Sequence, residues 1–152
     1  LFAYLRSLPT DLQFFLEVRH PDWFAKPDIR AELFDTLGSL NMGAVITDTA
    51  GRRDCAHMQL TIPKAFIRYV GNSLHPSDYS RTDAWVNRMQ HWLDKGLQEL
   101  YFFMHMHDET YSPELTVYLV DQLNASCGLN LIKPRFIESG TAGVQQQKGL
   151  FD

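Results

Sequence analysis

Four short apolar runs, each set off from the next by a helical or polar stretch, constrain this chain more than any other feature. They are QFFLEVRH (13–20), GAVITD (43–48), AFIRYVGN (65–72) and ELYFFMHMHD (99–108). Residues 27–40 carry Ile29, Leu33, Phe34, Leu37 and Leu40 at helical spacing, and Pro27 suits a first turn. In SDYSRTDAWVNRMQHWLDKG (77–96), Ser80 with Asp83 resembles a capping box, and Gly96 supplies a stop. Trp85, Met89, Trp92 and Leu93 share one face of that helix and are read as core. Ser112-Pro113-Glu114 opens a last helix that runs to Gly128. A short helical piece, Leu1–Leu8, comes before the first run, and TAGRRDCAHMQLTIPK (49–64) reads as a polar loop. The order is therefore helix, then β-α-β-loop-β-α-β-α.

Strands that are apolar on both faces and separated by helices indicate a parallel sheet with right-handed crossovers. Each of the four ends in polar groups: Glu17, Arg19 and His20; Thr47 and Asp48; Arg68 and Asn72; His105 and His107. In parallel α/β proteins the carboxyl ends of the strands carry the site. Four such ends, all polar, look like half of a (β/α)8 barrel.

Composition narrows the function. The 152 residues carry a formal net charge of -4, which argues against nucleic acid as a partner. No apolar run is long enough to span a membrane. Cys55 and Cys127 lack the spacing of a zinc site or redox pair and read as free thiols in a reducing cytoplasm. No motif asks for a cofactor.

Several strand-end residues are candidates for a site. Along LEVRHPDWF (16–24), alternation puts Glu17 and Arg19 on one side and Val18 and His20 on the other. A charged pair pointing into a barrel is either a structural ion pair or part of a site. Arg19 and Arg68 suit anion recognition, because a guanidinium fork grips a carboxylate or phosphate in two places. Asp48 is a candidate acid or base, or an acceptor for the loop carrying Arg52 and Arg53. His20 is catalytic or a loop-bonding histidine. Trp23 is the wall of a ligand pocket or a lid on the core. Asn72 and His105 are further candidates for substrate contact. His105 and His107, two apart on one strand, face the same way and are candidate metal ligands with a carboxylate nearby.

The blocks LEVRHPDWF, ITDTAGRRD, FIRYVGN and FFMHMHDETYSPEL resemble successive blocks of the DUF72 family, also called YecE-like proteins. Glu17, Arg19, His20 and Trp23 match the family's E-[FV]-R-H-x-x-W block. Arg68 and Gly71 match its R-x-H-G strand, with Val70 in place of the histidine. Phe103-Met104-His105 stands where Phe-Asn-Asn is usual. The resemblance implies a TIM-like barrel of which this chain is the second half, the Gly-Trp-rich first half being absent. It implies no reaction.

The expectation is a barrel half over residues 1–138 and a loosely held tail over 139–152. Its function is that of an enzyme on a small polar or anionic substrate at the barrel mouth. There Glu17, Asp48 or His20 would act in catalysis, and Arg19, Arg68, Trp23, Asn72 and His105 in binding. The alternative is a non-catalytic binding or interaction module. The apolar first strand, QFFLEV, and the start inside a helix predict a piece of a protein of roughly 250 residues or more. The open edges would be covered by the missing N-terminal half or by a homodimer partner.

Overall fold

The computed structural model describes residues 1–49, 51–52 and 54–135. Four strands lie side by side, all parallel and in chain order: β1 (Phe15–Leu16), β2 (Gly43–Thr49), β3 (Lys64–Val70) and β4 (Glu99–His105). The helices are α1 (Phe2–Arg6), α2 (Asp22–Ala25), α3 (Pro27–Ser39), α4 (Pro76–Asp94) and α5 (Ser112–Cys127). This is the α/β order that the apolar runs imply. The expected tail at 139–152, the domain limit at 138 and Arg53 fall outside the described residues. No helix among those described is long and apolar enough to cross a membrane.

The helices start and stop where local chemistry dictates. Pro27 and Pro113 occupy first-turn positions, where the missing N–H costs nothing. Gly128, with φ of 63°, closes α5 in the left-handed region that glycine adopts without strain. The start of α4 corrects the expected capping box. The helix begins at Pro76, and the ring of His75 accepts the Ser77 amide, so Ser80 already lies inside the helix.

One face of the sheet carries the core. On β3, Ala65, Ile67 and Tyr69 are fully buried against Trp85, Met89, Leu115, Leu119 and Leu123 of α4 and α5. Ala44 of β2 packs with Leu5, Leu33, Phe34 and Leu37. The two tryptophans expected in the core are there, Trp85 at 3% exposure and Trp92 at 8%. The opposite face carries Phe15, Phe66, Tyr101 and Phe103, whose rings meet one another, and Tyr101 and Phe103 remain exposed.

The first strand is shorter than its apolar run suggests. Ladder pairing covers only Phe15↔Gly43 and Leu16↔Ala44. At this edge the chain has a neighbour on one side only, and beyond Leu16 a side chain takes over the attachment: the Thr47 hydroxyl donates to Glu17 Oε1 at 2.7 Å. Gly43 is required opposite, because a Cβ there would lie 2.2 Å from the Phe15 ring. Between β2 and β3 the expected loop replaces a crossover helix, and it buries Cys55, His57 and Ile62.

Candidate functional site

The open face becomes polar toward the carboxyl ends of the strands. Glu17, Thr47 and Arg68 project there in phase, from the segment after β1, from β2 and from β3. Glu17 Oε1 accepts from Arg19 Nε at 2.8 Å and from Thr47 at 2.7 Å, and Arg68 Nη1 lies 3.8 Å away. Partial burial pushes the Glu17 carboxyl up. Hydrogen bonds from Arg19 and Thr47, with the charges of Arg19 and Arg68, outweigh that and hold it below its ordinary value. Glu17 is thus ionised at neutral pH and can accept a proton.

Beside this pair lies a hollow of about 260 Å3, lined by Arg19, Thr47, Thr49, Arg52, Cys55, Arg68 and Val70. Arg52 is committed: it grips Asp54 through Nε and Nη2 at 2.9 and 3.0 Å and donates to the Arg19 carbonyl at 3.0 Å. Arg68 is not. Among the described residues it makes no hydrogen bond, and its one ion pair is the long contact to Glu17. An uncommitted guanidinium fork in a hollow edged by two further arginines can take up an anion.

The structure therefore brings Glu17, Arg19 and Arg68 together, and it separates the other candidates. Asp48 faces the helices, where Oδ2 accepts from Trp85 Nε1 at 2.7 Å and Oδ1 lies 3.0 Å from Arg81 Nη2. It fastens α4 to the end of β2, which corrects its placement as an acid or base of the same site. Strand alternation is the reason, since Asp48 follows Thr47. His20 is exposed, and its Nδ1 accepts the Asp22 amide at 3.3 Å at the start of α2. Trp23 lies on the core side, edge-on to Phe2 and packed on the Leu33–Phe34–Leu37 cluster, so it is a lid.

Asn72 gives its backbone amide to Asp78 Oδ2 at 2.7 Å, within the turn after β3. A Cβ on Gly71, just before it, would press on the end of the Met106 side chain, which would have to shift. His105 ends β4, with Nδ1 3.4 Å from Glu109 Oε1. His107 lies past the strand, so the two histidines do not share a strand face. Among the described residues no three His, Cys, Asp or Glu side chains gather as a metal site.

Thr47, named among the polar strand ends but given no role, joins the site, as do Thr49 and Cys55, which were not site candidates. The threonines were accessible from the period of two along β2, which puts 47 and 49 in phase. Cys55 sits on an irregular loop, where no periodicity points.

Comparison with known proteins adds the family. The UPF0759 protein YecE of Escherichia coli K12 is 28% identical over 141 residues, an alignment covering 81% of this chain and 51% of YecE. The same protein of E. coli O157:H7 gives the same figures. The chain spans about half the length of the curated relatives it matches. Two crystal structures of a DUF72 family protein from Enterococcus faecalis V583 share the fold, with TM-scores of 0.60 and 0.59 at 12% and 13% identity. They cover 90% and 85% of this chain, which in turn covers 54% and 52% of theirs. The model of a protein family of unknown function, DUF72, matches residues 1–135, and this chain belongs to that family.

Proposed function

We propose that the hollow at the carboxyl ends of the strands binds a small anionic ligand and that the chain acts on it as an enzyme. Arg68 would supply the fork that grips the anion, Arg19 and Arg52 the surrounding positive field, and ionised Glu17 the proton acceptor. The observation that carries this reading is the uncommitted Arg68 guanidinium, 29% exposed beside the hollow. We place the site in a TIM-like barrel, with the open sheet face as part of its interior. Barrel interiors are packed layers of side chains, which suits the Phe66–Phe103 ring stack at 4.5 Å. A second reading, a non-catalytic interaction module, draws on the 45% exposure of Phe103 on the same face.

Sulfate binding to Arg68→Ala tests the first reading. The variant should lose most of its affinity for sulfate while its thermal midpoint barely moves, because Arg68 makes no hydrogen bond among the described residues. A large fall in stability with sulfate affinity intact would mark Arg68 as structural.

A further inference from the structure

The proposed anion site already contains an anion of its own. Glu17 Oε1 lies against Arg19 Nε, Thr47 Oγ1 and, more distantly, Arg68 Nη1, and the last belongs to the group that would grip a ligand. The charged and titratable groups around it are Arg19 on its own segment, Arg68 on β3, and Arg52 and Cys55 on the loop after β2. Arg52 is tied to Asp54. An entering anion therefore meets a carboxylate competing for the same guanidinium groups. A second negative group on the same partly desolvated donors disfavours the charged form of the weaker acid and pushes it toward taking up a proton.

We infer that binding of a strongly acidic anion to Arg68 drives one solvent proton onto the Glu17 carboxylate, so that ligand binding and Glu17 protonation are one coupled event. This rests on the anion-site reading and deepens it. The carboxylate that fills the site when empty becomes a carboxylic acid when the site is loaded, held by Thr47 beside the ligand. The favoured ligands are those that keep their full charge where Glu17 protonates, such as sulfate or phosphoryl groups. A carboxylate would itself compete for the proton. The coupling is reciprocal, so a lower pH tightens binding.

Sulfate is the probe, because it keeps both charges between about pH 5 and pH 8, so the pH dependence reports the protein. Its dissociation constant is followed across that range by amide and arginine side-chain NMR shifts, for the wild type and for Glu17→Gln. The wild type should bind more tightly as pH falls, approaching about tenfold per pH unit, the limit for one proton taken up. Glu17→Gln should bind more tightly than the wild type at neutral pH and lose that slope. A slope caused by any group other than Glu17 would persist in Glu17→Gln. In the wild type, the Glu17 carboxyl carbon should move toward its protonated shift when sulfate is added.

Saturable binding with an equal slope in both proteins, or a Glu17 carboxyl carbon that stays at its ionised shift, overturns the coupling and leaves the anion site standing. No saturable shift in either protein at any pH overturns both.

Discussion

Thr47 and Asp48 are chain neighbours with opposite fates. Thr47 turns to the open face and holds Glu17, whereas Asp48 turns to the helices and holds Trp85 and Arg81. Asp48 is 6% exposed, and Arg81 also lies over the Tyr69 ring, 4.3 Å from its centroid. Replacing Asp48 with Ala should therefore cost about 1–3 kcal/mol, because Trp85 Nε1 loses its acceptor while Arg81 keeps Asp78 and the Val70 carbonyl. Urea denaturation would measure it, and sulfate affinity should be unchanged. Gly71→Ala drives a methyl group into Met106 and should cost about 1–3 kcal/mol by overpacking. Both outcomes follow from side-chain direction, which a strand's alternation makes readable one residue at a time. Glu17 and Arg68 were legible in that way. The role of Asp48 was equally open to it, but a polar strand end drew attention to chemistry rather than to phase.

Among the elements, the three long helices were legible from their apolar spacing, with Pro27, Gly96, Pro113 and Gly128 marking four of the six ends; the start of α4 at Pro76 was missed. The strand at 13–20 was less legible, because an apolar run does not reveal how much of it a neighbour will pair. The loop between β2 and β3 has no periodicity, yet it holds the only buried histidine among the described residues. His57 Nε2 bonds to the Val45 carbonyl at 3.1 Å, and its ring stacks on Phe24 and touches Phe34. Burial lowers its pKa from the ordinary 6.5, and the nearby charge of Arg30 lowers it further, against the hydrogen bond to the Val45 carbonyl. The unfolded chain then binds the proton first. The His57 contribution to stability is complete above about pH 6.5 and is lost as the pH falls toward the folded value. His57→Gln keeps a side-chain amide for Val45 and does not titrate. Denaturation midpoints at neutral and mildly acid pH should converge for this variant and diverge for the wild type. Equal acid sensitivity in the two would assign the effect to other groups.

For the molecule as a whole, one sheet face is covered and the other is largely bare among the described residues. Tyr101 at 40% exposure and Phe103 at 45% lie on the bare face, above the Lys64–Glu99 ion pair at 2.6 Å. Exposed rings that adjoin on one face can form an association surface. The 152-residue chain should self-associate in light scattering at concentrations where a Tyr101→Lys, Phe103→Lys double variant stays monomeric. A monomeric wild type would show that this face tolerates water.

The strand order has a further consequence for how the chain reaches its structure. Spatial neighbours in the sheet are also successive along the chain. Among the described strands, each one after β1 can thus join a neighbour that has already been made. Assembly of these strands can keep pace with their synthesis, with α3, α4 and α5 packing onto strands already in place.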